Sequence, residues 1–251
     1  RYFLDLEQKS IALKNFLEKN NFSLALTNTA RGIDASVVTP LKNKDWSTVC
    51  ISHGTIAERF DIYDELYKKI IAEAVFSGDS KYFAIQSKIA NKAINTHRVN
   101  GKNLTTGNLI FSQAKASHKR KKYILFAVTM KEFCNFQFLG VEMYYEFIRN
   151  LKLFEAIAKE NNFNFIIKVL PSENKCIKML QEIFPSLIFS KKKIEYLLKK
   201  SFVTISFSST AIEDSLNSYV PVILFDQWRR YQHCEAEVDF SKTGEAVYYV
   251  N

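Results

Sequence analysis

Residues 202–225 read FVTISFSSTAIEDSLNSYVPVILF, and this stretch gives the clearest indication of the fold. Continuous apolar runs occupy 202–207 and 220–225, and each predicts a buried strand. The amphipathic stretch 210–219 between them predicts a helix. Strands that are apolar throughout, joined by a helix, are typical of parallel sheets covered on both faces. The stretch therefore predicts a strand–helix–strand unit of an α/β protein.

The same alternation continues along the rest of the chain. Further strands are predicted at 22–27, 47–52, 82–86, 123–129, 163–170, 187–189 and 245–250, with a turn at 106–108 after one more strand; further helices are predicted at 10–20, 33–41, 63–76, 87–95, 142–161, 174–183 and 192–200. The segment 112–122 is basic and lacks apolar periodicity, so it is the best linker candidate. The sequence predicts two α/β domains, 1–118 and 119–251.

Composition excludes several classes of protein. The chain has 251 residues, of which 47% are hydrophobic, and this content argues against an intrinsically disordered chain. Seven Gly and four Pro exclude collagen and low-complexity linkers. No apolar run approaches the roughly 18 residues that a membrane span needs. The first residue is Arg1 rather than Met, so an N-terminal region missing from this sequence is compatible with it.

Cysteine spacing and charge narrow the choice further. The four cysteines (Cys50, Cys134, Cys176 and Cys234) lack CxxC spacing, so we expect neither a disulfide framework nor a metal site, and a reducing, cytoplasmic location. The net charge of +9 includes basic runs at 119–122 (KRKK) and 191–193 (KKK). An anionic membrane surface, phosphorylated small molecules, nucleic acid or a solvated basic face would each account for it. No nucleic-acid-binding signature appears, so nucleic acid is not expected as a partner.

Polar residues follow the predicted strands, where ligands bind in doubly wound folds. His53, Gly54 and Thr55 come after the strand 47–52. A histidine here suits a general base or a phosphate contact, and the alternative is a structural or helix-capping role. Glu58 and Asp61 follow in the same loop, where they either complete a polar site or are solvated.

The later loops carry hydroxyl and basic side chains. Ser208, Ser209 and Thr210 precede the helix 210–219. They would either bind phosphate oxygens or cap the helix with Glu213 as a capping-box partner, and three hydroxyls exceed what a cap needs. Other loops offer further candidates, each of which either contacts a ligand or has a structural role. Lys168 lies inside a predicted strand and needs a partner. Ser172, next to Glu173, would otherwise cap a helix, and Arg229 and Arg230 suit anions.

Five blocks, in this order, carry a resemblance to a known superfamily. They are SHGT (52–55), TGN (106–108), KVLPSEN (168–174), ISFSSTAIEDSL (205–216) and VPVI (220–223). The set resembles the GT-B glycosyltransferases, and among them bacterial capsule and surface-polysaccharide transferases and CDP-glycerol glycerophosphotransferases. The resemblance implies two Rossmann-like domains. The N-terminal one looks reduced or truncated, because only about 118 residues precede the second domain.

The resemblance also implies a function. It implies a metal-independent transferase, without a cofactor, that moves a sugar from a nucleotide-activated donor to a surface-glycan or lipid-linked acceptor, as in capsule or lipopolysaccharide biosynthesis. His53 would be the catalytic base, with Glu58 and Asp61 as further catalytic candidates. The donor would contact Gly54, Thr55, Gly107, Asn108, Lys168, Ser172, Glu173, Ser208, Ser209, Thr210, Glu213, Arg229 and Arg230. Leu170 stands where such families often have a histidine in a Lys-x-His-Pro motif.

Three other functions remain open from the sequence. A non-hydrolysing nucleotide-sugar epimerase shares the scaffold and would need carboxylates around the sugar. A non-catalytic domain would bind a glycan or a partner protein, and nucleic-acid binding through the basic linker has the least support. The transferase interpretation expects His53 and the hydroxyls near Ser209 to face one cleft. It also expects a cytoplasmic protein, with peripheral contact at the inner face of an anionic membrane.

Overall fold

The computed structural model describes residues 2–42, 45–51, 65–66, 69–70, 78–86, 90–91, 101–107, 122–128, 140–169, 174–227 and 232–250. The chain divides into two units, residues 1–109 and 110–251. No helix in the described ranges is both long enough and apolar enough to cross a membrane. The predicted helices 63–76 and 87–95 lie almost entirely outside these ranges, as do most of the predicted linker and the predicted boundary after residue 118.

The first unit contains a parallel sheet. Its elements are α1 (Tyr2–Lys19), β1 (Leu24–Thr27), α2 (Gly32–Val38), a 3-10 turn (Thr39–Leu41), β2 (Ser47–Ile51), β3 (Tyr82–Ile85) and β4 (Lys102–Thr105). The strands lie in the order β1-β2-β3-β4, and each neighbouring pair is parallel. Cys50 and Phe83 are fully buried in it. This unit therefore has the parallel α/β arrangement that the sequence predicts.

Helix α1 begins at Tyr2 rather than at the predicted Ser10. The side chain of Phe3 is 81% exposed, so the apolar residues of the first turn make no stripe facing a core. An ion pair between Lys9 and Asp5 (2.7 Å) joins successive turns there. Periodicity missed this part of the helix because the pattern reports packing against a core rather than helix formation itself.

In the described residues, the second unit contains a six-stranded parallel sheet with helices between the strands. Its elements are β5 (Tyr123–Ala127), α3 (Gly140–Glu160), β6 (Asn164–Lys168), α4 (Asn174–Ile183), β7 (Ile188–Ser190), α5 (Ile194–Leu198), β8 (Ser201–Ser206), α6 (Ala211–Asn217), β9 (Val222–Phe225) and β10 (Val247–Val250). The spatial order is β7-β6-β5-β8-β9-β10. This is the doubly wound order of Rossmann sheets, in which the direction of winding reverses between the first and fourth strands. The reversal here lies between β5 and β8.

Both faces of this sheet are covered. On one face, Phe126 of β5 packs against Phe154 of α3, with ring centroids 5.4 Å apart. On the other face, Leu125 of β5 belongs to a cluster with Leu197 and Leu198 at the end of α5. Adjacent residues of one strand point to opposite faces, so burial of both Leu125 and Phe126 explains why the strands are apolar throughout. The predicted fold class, α/β with Rossmann-like sheets, is confirmed.

Candidate functional site

The strands next to the reversal end together at one edge of the second sheet. Phe126 of β5 pairs with Ile205 of β8, and Ser206 of β8 pairs with Leu224 of β9. The buried hydroxyl of Ser206 donates a hydrogen bond to the carbonyl oxygen of Ala127 (3.0 Å), which ties the ends of β8 and β5 to each other. Ligands of doubly wound sheets bind at such an edge, where the winding reverses. The residues that follow β8 therefore occupy the expected position of a site.

Three hydroxyl residues, Ser208, Ser209 and Thr210, follow β8 and form what we call the hydroxyl turn. The Ser209 hydroxyl oxygen accepts the backbone N–H of Ala211 (3.2 Å), and the Ser209 carbonyl accepts that of Ile212 (3.0 Å). Ser209 thus satisfies the first donors of α6. Thr210 is exposed and its side chain makes no capping hydrogen bond. The hydroxyl of Thr210 is therefore the one that the cap does not use and that a ligand can reach.

Glu213, on the first turn of α6, pairs with the buried His233. Glu213 Oε1 lies 3.1 Å from His233 Nε2, and His233 is only 6% exposed. An ionised carboxylate only accepts hydrogen bonds, so His233 Nε2 is the donor to it. This pairing means that Glu213 does not close the capping box that the sequence allowed. The two residues are 20 positions apart, so spacing carried no signal of their contact.

The second carboxylate oxygen of Glu213 has no partner among the residues that the structure describes. Glu213 Oε2 is buried and accepts no hydrogen bond from any described residue. An unsatisfied buried acceptor costs about 1–3 kcal/mol, and native proteins rarely leave one without a ligand or water to satisfy it. The arrangement therefore presents an acceptor at the site edge, held in place by His233, for a ligand that carries a hydroxyl or N–H group.

Negative charge accumulates at the beginning of α6. Glu213 and Asp214 both lie in its first turn. Burial raises the pKa of Asp214 to about 6, and the charges of Glu195 and Glu213 add to the effect. The helix has only seven residues, so its dipole does little to offset these charges. This end of α6 therefore suits ribose or sugar hydroxyls better than it suits phosphate, and a phosphate at the hydroxyl turn needs cations from other elements.

The raised pKa of Asp214 leads to a prediction about stability. Its folded-state pKa of about 6 exceeds the ordinary 3.8, so the contribution of this group is favourable in acid and is lost as pH rises from about 4 through 6. We expect Asp214→Asn to raise the free energy of unfolding at pH 7.5 by about 1–2 kcal/mol, after discounting for partial exposure. Denaturant unfolding at pH 7.5 and pH 4 measures this, and the gain should vanish at the lower pH. An equal gain at both pH values would contradict the electrostatic origin.

Lys168 supplies a cation at the same edge of the sheet. It ends β6, which neighbours β5, and its Nζ donates to the carbonyl oxygen of Val169 (2.7 Å). The sequence required a partner for this half-buried lysine, and the backbone provides one. Its ammonium group places a positive charge at this edge, where it would attract an anion.

The structure brings together only part of the predicted site. Lys168, the hydroxyl turn and Glu213 all lie at the carboxyl edge of the second sheet. Gly107 lies in the first unit after β4, where its φ of +71° requires glycine while the space around it is open. The remaining predicted residues, which lie outside the described ranges and stay predictions, are His53, Gly54, Thr55, Glu58, Asp61, Asn108, Ser172, Glu173, Arg229 and Arg230; Leu170 also lies outside them.

Sequence reasoning missed a second buried carboxylate at this edge. Glu146 of α3 is buried, and its Oε1 accepts the backbone N–H of Gln227 (3.2 Å) just after β9. It thereby ties α3 to the residues directly after β9. An acidic residue within the apolar stripe of the helix was the available signal. Within the described part of the chain, no group of three or more His, Cys, Asp or Glu side chains could hold a metal ion.

The order of strands in the second unit defines a Rossmann-type sheet, and solved structures share this fold. No protein-family model and no curated protein sequence matches the chain. The structure of UDP-GlcNAc 2-epimerase from Methanocaldococcus jannaschii in complex with UDP-GlcNAc and UDP is similar, with a TM-score of 0.58 at 12% identity over 89% of this chain and 66% of that one.

Two further structures show the same likeness. A putative UDP-N-acetylglucosamine 2-epimerase from Listeria monocytogenes matches with a TM-score of 0.52 at 10% identity, over 89% of this chain and 62% of that chain. TarM matches with a TM-score of 0.52 at 15% identity, over 98% and 48% respectively. The present chain thus spans less than two thirds of either protein. The likeness confirms the resemblance to the GT-B superfamily as one of fold.

Proposed function

We propose that the chain is a GT-B enzyme that binds a nucleotide sugar and transfers the sugar to a surface-glycan acceptor. The observation that carries the proposal is the buried Oε2 of Glu213, which accepts no hydrogen bond from the described part of the chain and lies at the switch point of a Rossmann sheet. A nucleoside presents ribose hydroxyls, which are donors of the kind this oxygen lacks. The similar M. jannaschii protein was solved in complex with UDP-GlcNAc and UDP, which supports this ligand class.

In this proposal the donor is held by two kinds of contact. Glu213 accepts a hydrogen bond from the ribose, and His233 keeps the carboxylate oriented for it. The hydroxyl of Thr210 donates to a phosphate oxygen, while Lys168 and the arginines Arg229 and Arg230 supply the positive charge that the beginning of α6 does not. The charge of the leaving nucleotide is thereby stabilised without a metal ion.

The transfer step follows from the resemblance. His53 removes the proton of an acceptor hydroxyl, whose oxygen forms a bond to the anomeric carbon of the donor sugar. The bond from that carbon to the phosphate oxygen breaks, and the nucleotide leaves with its electron pair. Glu58 and Asp61, which follow His53 in the sequence, are proposed as further catalytic residues. Transfer to a glycan or lipid-linked acceptor is part of the same proposal.

An epimerase is the second candidate, because solved nucleotide-sugar 2-epimerases share this fold at TM-scores up to 0.58. Such an enzyme needs no acceptor, and the obvious carboxylates for it are Glu58, Asp61 and Glu213. Incubation with each nucleotide sugar alone, followed by product analysis, separates the two. An epimerised sugar formed without an acceptor would replace the transferase proposal. Product formed only with an acceptor would support it.

The ligand class is tested by calorimetry with CMP, CDP, UDP, GDP and their sugars. We expect one nucleotide to bind clearly more tightly than the others, because a site that hydrogen-bonds one base leaves its polar groups unpaired when another base binds. Absence of binding for the whole set would overturn the proposal. That result would favour a domain that binds a glycan or a protein without catalysis.

Thr210 provides a prediction that separates ligand contact from capping. Thr210→Ala removes a hydroxyl that the helix cap does not use, so nucleotide affinity should fall about 3- to 10-fold with little change in thermal unfolding. Ser209→Ala removes the cap and should lower the free energy of unfolding by about 1 kcal/mol. Thr210→Ser is the matched control, and it should keep the affinity. Unchanged affinity in Thr210→Ala would remove the phosphate assignment.

A further inference from the structure

A group of lysines and aromatic rings lies at the opposite end of the second sheet, where β5 and β8 begin. Lys200 Nζ lies 4.8 Å from the ring centroid of Tyr196 and 5.8 Å from that of Tyr123, and it donates to the Tyr196 hydroxyl (3.0 Å). Lys192 Nζ lies 4.9 Å from the same Tyr196 ring. Together with the neighbouring Phe202, these residues form what we call the basic patch.

The positive charge of the basic patch is not neutralised by the described part of the protein. No described carboxylate forms an ion pair with Lys192 or Lys200. The hydrogen bond from Lys200, followed by the charges of Lys200 and Lys192, lowers the pKa of the Tyr196 hydroxyl. Lys122 and Lys199 are exposed nearby in the chain. The surface therefore holds several ammonium groups that an external anion can pair with.

Apolar surface accompanies this charge. Phe202 is 54% exposed, and its ring packs 5.0 Å from that of Phe163. Tyr196 is 44% exposed. Exposed aromatic rings beside lysine ammonium groups form the combination that binds at the boundary between lipid headgroups and acyl chains.

We propose that the basic patch binds the anionic headgroups of a phospholipid membrane surface. Single-stranded nucleic acid is less favoured, because base stacking needs open ring faces and lysine ammonium groups cover those of Tyr196 and Tyr123. An exposed Phe202 adds affinity for a lipid surface but has no role toward a free phosphate. The proposal depends on the surface of one unit and not on the proposed enzyme activity.

The position of the patch has a consequence for the site. Strand β8 has six residues and runs from Ser201, next to the patch, to Ser206, next to the hydroxyl turn. At about 3.3 Å per residue, the two ends of the strand lie roughly 17 Å apart. Contact through the basic patch therefore leaves the carboxyl edge of this sheet open to ligands from solution.

Sedimentation of the full chain with vesicles tests the proposal. We expect binding to vesicles of phosphatidylcholine mixed with phosphatidylglycerol, and none to phosphatidylcholine alone. Lys192→Gln combined with Lys200→Gln should weaken binding roughly 10- to 30-fold, because each lysine near an anionic surface contributes substantially to attraction. The matched control is Lys152→Gln combined with Lys178→Gln, which removes two exposed lysines from α3 and α4, one of them also above a phenylalanine ring.

The possible outcomes are decisive. Equal weakening by both pairs of substitutions would show general charge attraction and overturn the assignment to the patch, as would a failure to bind anionic vesicles. Tighter binding of single-stranded RNA with the same dependence on Lys192 and Lys200 would replace the lipid with nucleic acid. Phe202→Ser should weaken vesicle binding further at high salt, where charge attraction is screened, while circular dichroism confirms folding.

Discussion

Glu213→Gln is expected to lower nucleotide affinity by roughly 10- to 100-fold, since hydrogen bonds to charged groups contribute about 1.5–3 kcal/mol. The substitution keeps the size of the side chain but replaces one acceptor oxygen of the carboxylate by an amide NH2 group. Either His233 or the ligand would then lose its acceptor. The wild-type Oε2 is buried and accepts no hydrogen bond within the described ranges, so its hydrogen bond to a ribose hydroxyl gains more than an exposed one would. Calorimetry with the preferred nucleotide measures the effect.

A sugar-modified nucleotide makes this prediction specific. A 2′,3′-dideoxy analogue lacks the ribose hydroxyls, so wild type should bind it much more weakly than the parent nucleotide. Glu213→Gln should lose most of that discrimination, as a double-mutant cycle between residue and ligand requires. Asp214→Asn is the control on the same turn of α6, with the same change of charge, and it should retain the discrimination. If both variants discriminate as wild type does, Glu213 does not contact the ribose.

In the proposed site, His233 is a positioning residue for the carboxylate of Glu213. Its Nε2 holds Glu213 Oε1 at 3.1 Å, so the carboxylate cannot rotate freely. Its removal acts on the ligand only through Glu213, and the discrimination against the dideoxy analogue should shrink together with affinity. This contact joins α6 to a residue beyond β9 and depends on tertiary structure alone.

The stretch 202–225 shows what a sequence can and cannot reveal. Its apolar runs and helix periodicity predicted β8, α6 and β9 to within a few residues, because these elements are buried on both faces and their pattern follows from that burial. The reversal of strand order between β5 and β8 was not predicted, since it depends on which strands pair at long range. The division of work within the hydroxyl turn, with Ser209 as cap and Thr210 exposed, also needed the backbone.

Electrostatics at the site were beyond the sequence for the same reason. Burial raises the pKa of Asp214 to about 6, and the charge of Glu195, which belongs to a different helix, adds to the effect. The sequence expectation of a phosphate-binding helix end considered hydroxyls and the dipole. It did not weigh the negative charge of the first turn, which shifts the preferred contact at α6 toward ligand hydroxyls.

His53→Ala should have the largest effect on turnover, a fall of about 10²- to 10⁴-fold, as removal of a general base does. His53 follows β2, which ends at Ile51, so it lies two positions beyond the carboxyl end of a parallel strand. Nucleotide affinity and thermal unfolding should stay close to wild type, because His53 is assigned to proton removal and the ribose and phosphate contacts are assigned to Glu213 and Thr210. The loss of activity in acid, where an imidazole is protonated, should disappear with the side chain.

His118→Ala, in the predicted linker, is the matched control and should turn over normally. Added imidazole should restore part of the rate to His53→Ala, since a small base can occupy the space of the missing ring. Turnover of wild type and of each variant is measured with and without acceptor. The effect of a substitution then refers to transfer or to epimerisation, whichever reaction the wild type performs. Wild-type turnover in His53→Ala would remove the histidine from the mechanism while leaving the nucleotide contacts of Glu213 and Thr210 standing, because those are measured by binding alone.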